Sequence, residues 1–231
     1  MTAYHEAGHA LVGWFMPQHD PIYKATIIPR GRALGMVMPV PERDSYSVTK
    51  TKYTSQLAMA MAGKAAEEIK YGEDNVTSGA ASDIQQVSKI ARAMVTQFGF
   101  SDKVGHIDYA NQQESYLGNF QAGASNISGA TQKVIDEEVR RLIDEAYATA
   151  KGLLTEKNDE FERIAQALLE FETLDNDDLK KVIAGEPLER SDDLDTPPSP
   201  SGGSGHSAIP KAGKPRRGDG EPDPGMEPQP N

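Results

Sequence analysis

Two histidines four positions apart, with a glutamate after the first, occur near the start of the sequence in the segment His5-Glu6-Ala7-Gly8-His9. In an α-helix, residues i and i+4 lie on one face about one turn apart, so His5 and His9 can direct both imidazoles at one point. Neutral imidazoles are suitable ligands for Zn²⁺. The segment therefore predicts a zinc site on a helix, with His5 and His9 as two of its ligands.

Glu6 directly follows the first histidine, so it lies next to the helix face that carries His5 and His9. This places it close to the coordination position that the protein ligands of a bound metal leave open. From there its carboxylate can accept a proton from a water molecule that zinc acidifies, which lets the water attack a polarised carbonyl. Glu6 is therefore the predicted general base. Gly8 costs up to about 1 kcal/mol relative to alanine inside a helix, which indicates close packing or a functional reason.

The third protein ligand that a catalytic zinc requires is not fixed by this segment. Three other histidines are poorly placed: His19 lies in a proline-bounded turn, His106 in an irregular segment and His206 in the C-terminal region. Asp83 is the better candidate, because it lies in the first turn of the predicted helix at 82–98 and on the same face as the apolar residues that are expected to be buried. A buried aspartate is rare unless it is paired or bound to a metal. The alternative is a first-turn carboxylate favoured only by the helix dipole.

Glu67 and Glu68, near the end of the preceding predicted helix, are the other candidates for the third position. A glutamate on a second helix would complete a zinc site as well as an aspartate would. Alternatively, one of the two could accept a hydrogen bond from the ring nitrogen of a ligand histidine that does not bind the metal. The residue pattern alone leaves these alternatives open.

The elements that must position these residues are mainly helical, with a small β element near the active site. Apolar residues at helical spacing, capping residues and glycine or proline stops predict six helices, at about 2–16, 50–71, 82–98, 131–154, 159–171 and 176–184. Two short strands are predicted at 23–28 and 34–40. Residues 99–130, rich in glycine and asparagine, are predicted to be irregular.

The composition changes near residue 189, where a segment without any aromatic residue begins. Nine of the 15 prolines and seven of the 21 glycines lie in residues 189–231. Such a segment cannot bury enough apolar surface to offset the entropy lost on ordering. We therefore predict a folded metallopeptidase domain at 1–188 and a disordered tail at 189–231.

Charge and cysteine content narrow the functional classes further. The net charge is −11 and there is no cysteine. The acidic balance argues against a nucleic-acid partner, and any metal must be held by His, Asp or Glu. No apolar run approaches the length of a membrane span, so the chain is predicted to be soluble and cytoplasmic.

Five segments, in order and with matching spacing, resemble the FtsH-type ATP-dependent zinc metalloproteases, most closely the proteobacterial members. They are residues 2–10, 27–35, 65–68, 77–84 and 94–101. The resemblance covers about residues 2–185 and implies a helical peptidase domain. It implies His5, His9 and Asp83 as the ligands of one zinc ion and Glu6 as the base.

The resemblance also implies unfolded or membrane-derived protein substrates, a homo-hexamer, and a place on the cytoplasmic face of the inner membrane. ATP would act only through an AAA module, because this sequence contains no G-x-x-x-x-G-K-[ST] loop. The chain is thus predicted to be the peptidase part of such a protein, with the ATPase and transmembrane parts absent. An extended substrate would add to the strand pair around Ile27 and Met36. The rival interpretation is a noncatalytic helical zinc-binding or interaction module.

Overall fold

Helices dominate the part of the chain that the computed structural model describes, residues 1–31, 34–41, 47–109 and 127–188. Within these residues the α-helices are α1 (Thr2–Phe15), α2 (Lys50–Tyr71), α3 (Ala81–Thr96), α4 (Gly129–Glu156), α5 (Asn158–Phe171) and α6 (Asn176–Ala184). The mainly helical fold predicted from the sequence is therefore confirmed. None of the described helices has both the length and the apolarity that crossing a bilayer requires.

The small sheet contains strands β1 (Ile22–Thr26), β2 (Met36–Pro39) and β3 (Thr173–Asp175) in the order β2-β1-β3. Both pairings are antiparallel, and β1 lies in the middle. The two predicted strands are confirmed as β1 and β2, and the structure adds β3, from near the end of the described residues, which the sequence did not predict. The three residues of β3 are too few to show the alternation of apolar and polar residues that predicts a strand. A hydrogen bond of 2.7 Å between the hydroxyl groups of Thr26 and Thr173 links β1 to β3.

The close crossing of α1 and α2 brings the two chemically important helices together. A Cβ atom on Gly8 would lie 2.6 Å from Cβ of Ala66 and 2.7 Å from the carbonyl oxygen of Ala62. Any side chain at position 8 would therefore push the helices apart. The missing side chain of Gly8 and the small residues of α2 let the two backbones come into contact, which is the close packing predicted from the sequence.

Two apolar clusters hold the helices around this crossing. One joins α1 to α5, α6 and the sheet, and Leu11 and Phe161 are fully buried in it. The other joins α2, α3 and α4, with Leu57 and Met94 at its centre. Ile84 and Phe98 continue the helical spacing of the apolar residues around α3, but they are 44% and 42% exposed. They lie at the two ends of the predicted apolar pattern, where fewer neighbours cover the helix.

The predicted disordered tail at 189–231 lies outside the described residues, so both the tail and the domain boundary at 188 stay predictions. The same holds for residues 110–126 of the segment predicted to be irregular. The preceding residues 99–109 form turns and loop, and α4 begins at Gly129, close to its predicted start.

Candidate metal centre and active site

Three side chains from two helices converge at one point beside the α1–α2 crossing. The Nε2 atoms of His5 and His9 lie 3.0 Å apart. Oδ2 of Asp83, in the first turn of α3, lies 3.2 Å from Nε2 of His5 and 3.6 Å from Nε2 of His9. Among the residues described, these three alone have ligand atoms close enough together to hold a metal ion. The structure thus brings together the three ligands predicted from the sequence.

The opposite nitrogen of each imidazole is fixed by a hydrogen bond. Nδ1 of His5 lies 2.8 Å from Oε1 of Glu67, and Nδ1 of His9 lies 2.7 Å from the carbonyl oxygen of Met59. A carboxylate and a carbonyl can only accept, so in the neutral rings each Nδ1 carries the proton and donates it. Each Nε2 atom therefore presents its lone pair to the other and to Asp83.

The converging atoms fit a divalent cation. Oδ2 of Asp83 is buried, and no hydrogen-bond donor from the described part of the chain satisfies it. Burial alone would raise the pKa of Asp83, but positive charge on His5 and His9 outweighs that effect and lowers the pKa below its ordinary value, so positive charge at this point stabilises the carboxylate. Two imidazole lone pairs and a carboxylate oxygen at such separations repel one another unless a cation lies between them. Two nitrogens and one oxygen are a ligand set that zinc accepts.

The carboxyl group of Glu6 lies in the wall of the same site. Glu6 is 6% exposed, and this burial raises its pKa, although the nearby imidazoles of His9 and His5 act against the shift. A carboxyl group with a raised pKa, held beside a metal position, is a stronger base than an ordinary glutamate and is suited to take up a proton from water. The placement of Glu6 is therefore compatible with its predicted role as general base.

Two glycines leave the space that these side chains occupy. A Cβ atom on Gly35, just before β2, would lie 2.6 Å from Oε1 of Glu6. A Cβ atom on Gly63 of α2 would lie 2.5 Å from Nε2 of His5 and 2.6 Å from Nε2 of His9. Neither glycine was singled out as a site residue in the sequence, because the contact partner of each lies on a different element.

A cavity of about 690 Å³ opens over the centre. Its walls include the candidate ligands and Glu6, the strand β2 with Gly35 before it, and residues His19, Gln56 and Met59. This volume is within the range of small-ligand pockets. Because β2 has β1 on one side and is the end of the described sheet, its other edge can pair with an extended chain.

Glu67 and Glu68 are adjacent in sequence but contact different helices. Glu67 is 2% exposed and bonds to His5, so it lies behind a candidate ligand at the nitrogen that points away from the metal position. Glu68 instead accepts hydrogen bonds from Tyr147 and Lys151 of α4. The structure does not bring Glu68 to the metal cluster, because adjacent helical residues point about 100° apart.

The sequence places His19 in a turn and assigns it no part in the metal site, yet its side chain lines the cavity. A Cβ atom on Gly13 of α1 would lie 3.4 Å from Cε1 of His19, so the turn after α1 folds this imidazole back onto the helix. His106 lies in an exposed loop, as predicted, and His206 is outside the described residues. The proline-bounded turn gave no sign of where the His19 ring would lie.

The helical fold and the cluster of two histidines and one aspartate fit a metallopeptidase, and the chain belongs to peptidase family M41, matched over residues 1–182. It is similar to proteins named ATP-dependent zinc metalloprotease FtsH. The identity is 46% over 194 residues with that of Caulobacter vibrioides and 45% over 197 residues with that of Rickettsia bellii. With the protein of Haemophilus influenzae it is 44% over 199 residues.

These matches cover most of this chain but a minor part of each relative. They include 84%, 85% and 86% of this chain, respectively, and 31%, 31% and 30% of the relatives. The chain thus spans about a third of the length of the curated relatives it matches. Membership in the family assigns hydrolysis of peptide bonds to the domain. Zinc is the metal that the names of the relatives give.

Proposed function

We propose that the chain is the peptidase part of an ATP-dependent, FtsH-like protease, and that it hydrolyses unfolded or membrane-derived polypeptides. One zinc ion would be held by His5, His9 and Asp83. The observation that carries this proposal is the meeting of two Nε2 lone pairs with the unsatisfied Oδ2 of Asp83. A divalent cation bound between these three atoms would accept all three lone pairs and relieve their mutual repulsion.

Bound zinc would supply a Lewis acid that polarises the scissile carbonyl and acidifies water. Glu6 takes the proton from the attacking water and returns it to the leaving amine. Burial supports both steps, because it raises the pKa of Glu6. Glu67 keeps His5 in the tautomer whose Nε2 faces the metal position.

The edge of β2 offers a binding mode for the substrate. An extended peptide that adds to β2 uses main-chain hydrogen bonds, which any sequence can make. β1 cannot serve, because it is paired on both sides, with β2 and with β3. A folded protein has few free extended segments, so this mode favours unfolded polypeptide.

The proposed assembly of the whole protein is based on its relatives rather than on this chain. Their names contain the term ATP-dependent, and we propose that ATP acts through an AAA module separate from this peptidase domain. A homo-hexamer at the cytoplasmic face of the inner membrane would then deliver unfolded chains to the cavity. Size and subcellular fractionation of the full-length protein test this part separately.

Two substitutions, compared by zinc content and by hydrolysis of unfolded casein, test the site. The wild-type chain should bind one zinc and lose hydrolysis to a chelator. Glu6→Gln should keep zinc and lose hydrolysis by more than about 10³-fold, in the upper part of the usual range for one acid–base group, because the same residue serves both proton transfers. Asp83→Asn should lose zinc.

Asp74→Asn, in the exposed turn before α3, is the matched control and should change neither zinc content nor hydrolysis. Loss of zinc in Glu6→Gln would show that Glu6 is misassigned. Full zinc affinity in Asp83→Asn would favour a glutamate as third ligand. Zinc binding without any hydrolysis would support the noncatalytic alternative.

A further inference from the structure

The third imidazole of the cavity, His19, continues the line of the two candidate ligands on α1. Gly13, which His19 contacts, follows His9 by four residues and so lies on the same helical face one turn further on. His19 is half-buried and lines the cavity that also contains His9 and Glu6. Its ring thus faces the space where a substrate of the proposed peptidase would lie.

The protonation of His19 is fixed at one nitrogen only. Nδ1 lies 2.8 Å from the carbonyl oxygen of Asp20, which can only accept, so Nδ1 carries a proton and donates it. No hydrogen bond from any described residue reaches Nε2. The Asp20 carboxylate is engaged by Nζ of Lys52 at 2.6 Å. Burial lowers the pKa of His19, so near neutral pH Nε2 presents a lone pair.

A peptide bound along β2 needs such an acceptor. In a paired strand, alternate main-chain N–H groups point towards the partner and the others point away from it. The N–H groups that point away lose water when the peptide enters the cavity, and each one left without an acceptor weakens binding. Nε2 of His19 is an acceptor in the same cavity that no described residue uses.

We propose that His19 is a substrate-binding residue whose Nε2 accepts a hydrogen bond from one main-chain N–H of the bound peptide. The proposal rests on the proposed peptidase function and adds a specific contact to it. It predicts recognition of the peptide backbone at one fixed position, independent of the side chain there. It also predicts that the contact acts on peptide affinity and leaves metal binding unchanged.

The test uses the zinc-loaded Glu6→Gln protein, so that bound peptide is not cut. The probe is a fluorescein-labelled short peptide, selected as the tightest binder among overlapping peptides of β-casein. Adding His19→Asn, which loses the acceptor at the ε position, should weaken binding about fivefold. Adding His19→Gln, which restores an acceptor oxygen at similar reach, should recover most of the affinity.

A series of probes in which each main-chain N–H in turn is replaced by N-methyl identifies the partner group. N-methylation at one position of the peptide should weaken binding to the protein that keeps His19 by about fivefold. The same N-methylation should not weaken binding further to the protein that carries His19→Asn. Zinc content and the midpoint of thermal unfolding should be equal in all three proteins. Equal affinity for the unmodified probe with and without the His19→Asn substitution would overturn the proposal.

An N-methyl loss that is the same in both proteins at every position would also overturn it. Hydrolysis of the unmodified peptide by the wild-type chain is measured in parallel. If binding depends on His19 but no hydrolysis occurs, the peptidase function fails while the contact stands. If hydrolysis occurs with unchanged KM in His19→Asn, the contact fails while the peptidase function stands.

Discussion

Nδ1 of His5 and Oε1 of Glu67 lie 2.8 Å apart, across 62 positions of sequence. The Glu67 carboxylate is itself held in place, because it accepts hydrogen bonds from the main-chain N–H of Thr77 at 2.8 Å and from its hydroxyl at 3.0 Å. The loop before α3 therefore fixes a glutamate of α2, and that glutamate fixes a histidine of α1. Three elements set the direction of one imidazole.

This relationship predicts that Glu67→Gln weakens zinc binding by about 10–100-fold, because the neutral amide makes the His5 ring less basic and less firmly oriented. Competition with a chromogenic chelator measures the affinity. Glu68→Gln is the matched control, since it removes one charge at the adjacent position but faces Tyr147 and Lys151. A larger effect of Glu68→Gln than of Glu67→Gln on zinc would contradict the arrangement.

Gly35→Ala is predicted to reduce kcat by about 10²-fold while zinc stays bound, because the new methyl group displaces the Glu6 carboxylate from its position. The displaced atoms are the end of a flexible side chain, so the thermal unfolding midpoint should hardly change. Gly152→Ala, at an open position of α4, serves as control and should leave kcat unchanged. If Gly35→Ala keeps the kcat of the wild-type protein, catalysis does not depend on the present position of the Glu6 carboxylate.

Gly63→Ala should lower metal affinity without raising stability. Alanine favours a helix interior by up to about 1 kcal/mol over glycine, but the new Cβ must displace two imidazoles that are held by hydrogen bonds, which costs at least as much, so the metal-free protein should not unfold at a higher temperature. The added Cβ would meet Nε2 of His5 and His9, so zinc affinity should fall by at least about 100-fold. Calorimetry with and without zinc measures both effects, and unchanged zinc affinity would refute the prediction.

Glu138 is predicted to make stability depend on acid pH. It is 2% exposed and bonds to Arg141, Lys103 and Ser101. The hydrogen bonds from Arg141, and then from Lys103 and Ser101, lower its pKa to about 2, against the effect of burial. The unfolded chain keeps the ordinary value near 4.5. The contribution of Glu138 is therefore complete above about pH 4.5 and disappears as the pH falls towards 2.

Glu138→Gln should accordingly lower the free energy of unfolding at neutral pH by about 2 kcal/mol, with the difference from wild type vanishing near pH 2. Urea unfolding at a series of pH values measures it. Glu137→Gln, the neighbouring exposed residue, should have little effect at any pH. A constant difference between wild type and Glu138→Gln across this pH range would mean that its ionisation is not what stabilises the fold.

Local signals in the sequence predicted where helices begin and end, but not which side chains meet across different elements. The bounds of α2 matched, because Thr49 caps its first turn and Gly72, with φ of 84°, ends it. The choice between Glu67 and Glu68 depends on which helix packs on which face of α2, and the pattern around them does not encode this. The position of His19 likewise depends on how a turn folds back onto Gly13.

The pairing of β1 with β3 has a consequence for the order of events during synthesis. Residues of β1 leave the ribosome before their partners in β3, and Thr173, opposite Thr26, follows 147 positions later. The two histidines and Asp83 therefore emerge long before the sheet beside them can be completed. The three-stranded sheet, with β1 held between β2 and β3, can therefore form only when nearly all of the domain has been translated.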